Sequence, residues 1–584
     1  MAADLIIKAS SVITMDADRT RGEAIAIDTD DGTIVAVGSL GDCQEAAPDA
    51  KVEDLGDKVL MPGFIDPHSH PVLSGVVTQE PAYWIAPWEG YPTYADVEAK
   101  FKDVNSKTPE GQPVVFCGLD RLIQGAPQLT NKELDVFFPT RPVVVLDNSG
   151  HEVYFNTATI ELNGWTDNKP PADPTGARFG RNDDGTSNGR AYETAACMEA
   201  ALKVMGGAVP HPLLSSAKWI AMMGRNGITA TTEHTYETNL LAAYTALLSA
   251  DNSPLRLALY HMSIDSDCGD KLDSKLPPTM MWKQGIKLWA DGSPWVGTIA
   301  ASFPYLDDEL VNKAQIPLGP GGEKMMNYTR IQIDQVLDDH VKEGWQFAFH
   351  VNGDVGIDVV LDAYERALVE HGLMGSDHRW RLEHCGAGRG DQFERAGEMG
   401  ATVSLLAAQF IYWGDLLDGG MFEPEIGSQW VRAGDAFKTK ARPTFHNDGC
   451  VSPPIPLLNV QAMASRTTIN GNAHGLEQAV SIDDALVAHT VNAAWQIGRD
   501  KDLGSLEVGK LADMVVLSAD PYEADASKLT DQVKVEGTWL GGKKIDLDSY
   551  LKEIEKIDPS EHKHLATKAA GRHVCSHGGS DHSH

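Results

Sequence analysis

A few positions in this 584-residue chain carry metal-ligand chemistry at recurring places. Asp66-Pro67-His68-Ser69-His70 ends one apolar run. Lys287 lies inside another, with Asp291 just beyond it. His350 and His384 close two more, and His446-Asn447-Asp448 closes the last. On an extended segment His-x-His puts both imidazoles on one side, because side chains alternate with period two. Two such rings can hold one divalent ion, with further histidines and a carboxylate completing the shell. Taken singly, each residue has an ordinary reading: a strand-end histidine as a satisfied polar group, Lys287 as a buried ion-pair partner, Asp448 before Gly449 as a turn residue. Their shared position, at or just past the C-terminal end of successive apolar runs, makes chance a poor explanation.

Those runs must be held by a fold. Eight of them recur, at residues 60–65, 228–232, 255–260, 286–289, 347–350, 380–383, 402–406 and 443–445. Continuous apolar runs are what a parallel sheet buried on both faces requires. Eight of them alternating with helix-like stretches predict an α/β fold, a (β/α)₈ TIM barrel. All its strand ends open on one face, which would bring His68, His70, Lys287, His350, His384 and Asp448 together.

The two chain ends have a different texture. Short alternating runs fill the first sixty residues, with a hairpin turn at Asp30-Asp31-Gly32, and return at 513–517 and 533–540. Residues 1–61 and 499–548 are therefore expected to form one small β-sandwich domain, with 62–498 as the barrel domain between them. The stretch after strand one is too long for a barrel loop. An inserted subdomain at about 75–222 is expected over the barrel mouth, with strands near 114–117 and 142–146, helices near 94–104 and 191–204, and a polar stretch at 170–189. Residues 549–584 read as a flexible, histidine-rich tail; His562, His564, His573, Cys575, His577, His582 and His584 could bind metal loosely.

Composition excludes several functions. Lys plus Arg is 49 against 83 Asp plus Glu, a formal net charge of −34, so neither nucleic acid nor an anionic membrane is an expected partner. No apolar run reaches the roughly 18 residues of a membrane span, and the start MAADLIIKASSVITMD lacks the pattern of a secretory signal. Seven cysteines, sparse and odd in number, do not read as a disulfide framework. A cytoplasmic homodimer acting on a small molecule is the expectation. There is no GxxxxGK[ST] phosphate loop, and Gly180 to Gly185 (GRNDDG) lacks the spacing of a calcium loop.

The ordered set of ligand types resembles the amidohydrolase superfamily: His-x-His after strand one, Lys on strand four, His on strands five and six, Asp on strand eight. VLMPGFIDPHSH resembles the first-strand motif of that superfamily, and LGSLEVGKLADMVVLSADP its return into the β-sandwich. DNSGHEVYFNTATIELNG, GIKLWADGSP and AFHVNGDVGID are similar to the amidohydrolase 3, YtcJ-like branch, which includes N-substituted formamide deformylase. The resemblance spans about residues 4–545. It implies one or two divalent ions, zinc by expectation, held by His68, His70, His350 and His384 with Asp448. It also implies a role for Lys287, which in relatives can be carboxylated by CO₂ and bridge two metals; a lysine near two cations has a depressed pKa, so its neutral amine can react. The implied reaction is hydrolysis of a C–N bond, an amide such as an N-substituted formamide, by metal-activated water, with Asp448 as general base and then general acid. One departure stands out. The strand-five histidine of this branch is usually followed by a GDRA-like stretch, whereas Gly353-Asp354-Val355-Gly356 follows His350, so a basic residue that could meet a substrate anion is missing.

Substrate contacts are expected from the insertion and from the strand-four end. Tyr83, Trp84, Trp88, Tyr91 and Tyr94 could line one apolar wall or form the insertion's own core. His151 could face the site from the lid, and Trp289 and Trp295 flank the strand-four end. Two alternatives use the same residues: a deaminase or cyclic-imide or amidine hydrolase, and a non-catalytic regulatory protein on this scaffold. The second would show lost ligand positions, and here all are filled.

Overall fold

Alternating side chains along the central strands sort into an inner and an outer set. In the computed structural model, which describes residues 3–174 and 176–566, eight strands pair side by side and parallel. In order they are Phe64–Asp66, Ile228–Tyr236, Arg256–Met262, Met281–Trp289, Gln346–Val351, Arg381–His384, Thr402–Leu406 and Thr444–His446. Leu257, Leu259, Ile286, Leu288, Phe347 and Phe349 belong to the large outer core. Ala258, Tyr260 and Ala348, from the intervening positions, belong to a separate inner cluster. Each buried Phe contributes about 1.5–3 kcal/mol through area removed from water. The same alternation places Lys287, between Ile286 and Leu288, inside the barrel. The seam between the first and last strands is bridged by the Asp448 amide donating to the His68 carbonyl at 3.2 Å. Asn447 Nδ2 also donates there, to the Asp66 carboxylate at 3.2 Å.

The first apolar run is two strands rather than one. Val59–Pro62 pairs with Met514–Leu517 in the terminal sheet, and only Phe64–Asp66 joins the barrel. Gly63 divides them: a Cβ there would lie 2.2 Å from Thr229 Oγ1, so only glycine lets the chain pass so close to the second strand. The terminal sheet has eight strands. Leu5–Ile13, Arg21–Asp28, Thr33–Gly38, Lys51–Asp54 and Val59–Pro62 come from one chain end, and Met514–Leu517, Val535–Leu540 and Lys543–Lys544 from the other.

Between the first and second barrel strands lies a six-stranded sheet built from Tyr83–Trp84, Val114–Leu119, Val143–Asp147, Glu152–Phe155, Arg178–Arg181 and Ser187–Tyr192. Within the polar stretch at 170–189, Arg178–Arg181 pairs with Ser187–Tyr192 as a hairpin. Helix Thr194–Ala208 packs against this sheet, and helix Pro212–Arg225 leads back to the barrel.

The expected flexible tail is corrected over its described part. Helix Leu547–Glu555 packs on helix Pro212–Arg225, and Tyr550, Ile554 and Leu565 are buried in the main core. Its apolar side chains fall on one face, a pattern masked in the sequence by the polar residues between them. His573, Cys575, His577, His582 and His584 lie outside the described residues. Among those described, no helix is long and apolar enough to cross a membrane.

Candidate active site

His68 leaves the first barrel strand with its Nδ1 donating to the Glu383 carboxylate at 2.6 Å. A carboxylate only accepts, so the proton sits on Nδ1 and the Nε2 lone pair is free. That Nε2 faces Asp448 Oδ1 at 3.5 Å and Lys287 Nζ at 3.4 Å. His70, just before helix Pro71–Thr78, presents Nε2 to the same Asp448 oxygen at 3.4 Å, while its Nδ1 lies 3.4 Å from Glu233 and 3.3 Å from Thr235. His384 approaches Asp448 Oδ2 at 3.7 Å, and its Nε2 is buried without a hydrogen-bond partner. Thus His68, His70, Lys287, His384 and Asp448 meet at one point. His350 is one ring further out. It contacts His384 with ring centroids 4.4 Å apart, and its Nε2 donates to the Gly292 carbonyl at 3.0 Å.

Burial and mutual charge set the protonation pattern. Burial drives His68, His350 and His384 well below the ordinary histidine value, helped by the neighbouring positive groups. Neutral imidazole is the form that binds metal. Burial lowers Lys287 to about 8. For His70, burial is outweighed by Asp448 and Glu233, which lift it to about 9. The Asp448 carboxyl is held below its ordinary value because His70 overcomes the burial penalty. Asp448 therefore pairs with a proton carried on His70, which a divalent cation could replace. The orphaned Nε2 of His384, the oriented Nε2 of His68 and a buried carboxylate make a donor set that fits such an ion.

The backbone is strained at the same point. His384, Cys385 and Asp448 have φ of 71°, 51° and 52°. Left-handed conformations at non-glycine residues cost on the order of 1–3 kcal/mol and persist where the surroundings over-determine them.

Asp291 is not a partner of Lys287. It accepts from the amides of Ala300, Asn352 and Gly353 at 3.0, 2.8 and 2.8 Å, fixing the exit of the fifth strand. Asp354, in the stretch that departs from the branch pattern, accepts from Ser302 and pairs with Arg389 at 3.1 Å, so it points away from substrate chemistry.

A pocket opens on this centre. His68, His70, Lys287, His350, His384 and Asp448 line its polar end. Leu73, Leu146, Val153, Met198, Ala201 and Val451 form apolar walls, most of them from the inserted sheet and helix Thr194–Ala208. His151 and Trp289 line it. His151 Nδ1 lies 2.7 Å from the Glu193 carboxylate, and its ring is 4.7 Å from His350. Trp84, Trp88 and Trp295 do not line it. Their faces are taken by other rings: Trp84 by Trp219 at 5.4 Å, Trp88 by Tyr412 at 4.1 Å and Trp295 by Trp413 at 4.4 Å. Aromatics of this size are buried wherever a complementary surface exists, and the nearest surfaces here are in the core.

Three site residues escaped the sequence reading. His446, in sequence simply a neighbour of Asp448, brings its Nε2 to 3.0 Å from His384 Nδ1. His234, on the second strand, stacks on His68 at 3.9 Å, and neither of its ring nitrogens has a hydrogen-bond partner. Glu383, next to His384, orients His68. The signal for His234 was available, since it lies near the C-terminal end of a barrel strand like the others.

Residues 51–545 match the amidohydrolase family. Over 567 residues the chain is 24% identical to N-substituted formamide deformylase of Arthrobacter pascens, covering 92% of this chain and 97% of that one. It is 23% identical over 538 residues to the putative amidohydrolase YtcJ of Bacillus subtilis, covering 89% and 95%. An uncharacterized metal-dependent hydrolase from Pyrococcus horikoshii has a similar fold, with a TM-score of 0.67 at 21% identity, over 89% of this chain and 99% of that one. The chain belongs to the amidohydrolase family and is a hydrolase acting on carbon–nitrogen bonds.

Proposed function

We propose that this enzyme hydrolyses an amide whose nitrogen carries an apolar substituent, an N-substituted formamide or a related N-acyl compound. The observation that carries this reading is the meeting of His68, His70, Lys287, His384 and Asp448 at the polar end of a pocket with apolar walls. A small acyl group fits the crowded polar end, and Leu146, Val153, Met198 and Ala201 offer a surface for the substituent. The name of the Arthrobacter relative agrees with this choice.

His68, His70, His350 and His384, with Asp448 and Lys287, would hold one or two zinc ions. A divalent ion bound there lowers the pKa of a water and polarises a carbonyl. Asp448, ionised in its buried setting, accepts the proton of the attacking water and returns it to the leaving nitrogen. His151, kept protonated against burial by Glu193, donates a hydrogen bond to the acyl side of the substrate. The walls of the insertion exclude bulk water and orient the substituent.

The deaminase or cyclic-amidine alternative keeps the same centre. What favours it is the His151–Glu193 pair, a proton source at the pocket wall that could protonate a ring nitrogen. One experiment separates the two: metal analysis together with a panel of N-substituted formamides, longer N-acyl amines, cyclic imides and amidines, assayed for formate, amine and ammonia. Formate and amine release that disappears along with metal in His384→Ala supports the proposal. Turnover confined to amidines or imides would overturn the amide reading.

A further inference from the structure

A second cluster of ligand-type side chains lies outside the barrel. Tyr260 and His261 are neighbours on the third strand, Arg256–Met262. Tyr260 faces inward, stacked 4.1 Å from His234, whose other face covers His68. Alternation turns His261 to the outer face, where Tyr236 meets its ring edge-on at 5.0 Å. The strand itself therefore separates His261 from the pocket described above.

His261 is 1% exposed, and its Nε2 has no hydrogen-bond partner. That atom points between two carboxylates of the long connection at 263–280, Asp265 Oδ2 and Asp267 Oδ1, each 3.3 Å away. Asp265 Oδ2 is also buried without a hydrogen bond. The three atoms all lie within 4.8 Å of one another. Glu237, just past the second strand, adds a further buried carboxyl, lifted to about 8 by burial and by Asp265. Among the described residues no lysine or arginine forms an ion pair with Asp265, Asp267 or Glu237. The nearby ammonium of Lys283 donates instead to the carbonyls of Cys268 and Asp270.

Asp265 and Asp267 face an orphaned imidazole nitrogen with no basic partner, so they gather negative charge beside a buried ligand atom, which a cation joining them would offset. A tetrahedral ion with bonds of about 2.0–2.1 Å holds its ligand atoms about 3.3 Å apart. That is the separation from His261 Nε2 to both aspartate oxygens. One imidazole with two carboxylates suits zinc or manganese better than calcium or magnesium, which prefer oxygen alone. We propose that His261, Asp265 and Asp267 form a separate structural site for a zinc-type divalent cation, which ties the connection at 263–280 to the third strand. A fourth position is left for water. The competing occupant is a proton, which would make His261 an imidazolium held by two aspartates.

The test uses the full chain, and its metal readouts do not depend on which substrate the enzyme cleaves. Protein saturated with Zn²⁺ and then desalted should carry one equivalent more metal as wild type than as His261→Gln or Asp267→Asn, with turnover unchanged in the variants. Cobalt loading gives a second readout, because the visible d–d spectrum of wild type minus Asp267→Asn should be that of a four-coordinate N/O site. Asp267 is partly exposed, so its asparagine variant remains informative if His261→Gln fails to fold. Equal metal content and superimposable cobalt spectra in folded Asp265→Asn and Asp267→Asn proteins would overturn the proposal and assign His261 a proton.

Discussion

Glu383 holds His68 by Nδ1 at 2.6 Å, while Arg381 grips the same carboxylate at 2.5 and 2.9 Å and the Pro67 carbonyl at 2.8 Å. One arginine on the sixth strand thus ties the first-strand exit to the group that sets the His68 tautomer. Glu383→Gln keeps the shape but weakens the acceptor. Metal affinity should fall about 10- to 100-fold, the usual effect of losing such an orienting partner. Competition with a chromophoric chelator measures it; unchanged affinity would mean that Glu383 only packs.

Asp448→Asn removes the proton acceptor and preserves the side-chain outline. We expect kcat to drop by about 10² to 10⁴, with most of the metal retained through the histidines. Metal analysis beside steady-state kinetics separates this from simple ligand loss. A normal kcat would move the proton-transfer role to another residue.

Lys287 distinguishes one ion from two. Burial brings it to about 8, so an appreciable neutral fraction exists near neutral pH. A neutral amine adds CO₂ to give a carbamate and a proton, turning a poor ligand into an oxygen donor that spans two ions about 3.5–4 Å apart. Lys287→Ala should then lose about half the bound metal and most activity, with partial rescue by bicarbonate or short carboxylates. Full metal content in the variant would leave a mononuclear site and an unmodified lysine.

His489 should make the fold acid-sensitive. It is fully buried, donates through Nδ1 to the Ile65 carbonyl at 3.1 Å and accepts at Nε2 from Asn459 at 3.2 Å. Burial lowers it to about 4. Between about 6.5 and about 4 the unfolded chain binds a proton that the folded chain refuses, so stability falls as pH drops through this window, by about 3 kcal/mol for the single group. Melting temperatures from pH 7 to pH 4 should decline less steeply for His489→Asn than for wild type. Parallel profiles would exclude His489 as the source.

The apolar pocket can be probed by filling it. Ala201 lines it from helix Thr194–Ala208. Ala201→Phe should raise KM for substrates with bulky nitrogen substituents by about tenfold or more, corresponding to roughly 1.4 kcal/mol or more of lost binding, and spare compact ones. A uniform change across the substrate panel would place the substituent elsewhere.

Local sequence determined much of this protein. Period-two alternation is a property of each strand, so the inward position of Lys287 could be read from Ile286 and Leu288 beside it, and a parallel barrel carries each strand end to the same face. The Lys287, His350 and Asp448 positions were legible for that reason. Whatever depends on which distant surfaces meet was not. Gly63 splits the first apolar run because Thr229, far along the chain, crowds it. Trp84, Trp88 and Trp295 turn into the core because Trp219, Tyr412 and Trp413 cover their faces. Glu383 and His446 act on His68 and His384 from strands that are not neighbours in the sheet, so their partners could be found only once the barrel had closed. Tertiary structure alone also set the protonation of the site imidazoles, because burial and neighbouring charges, which sequence spacing does not encode, lower His68 and raise His70.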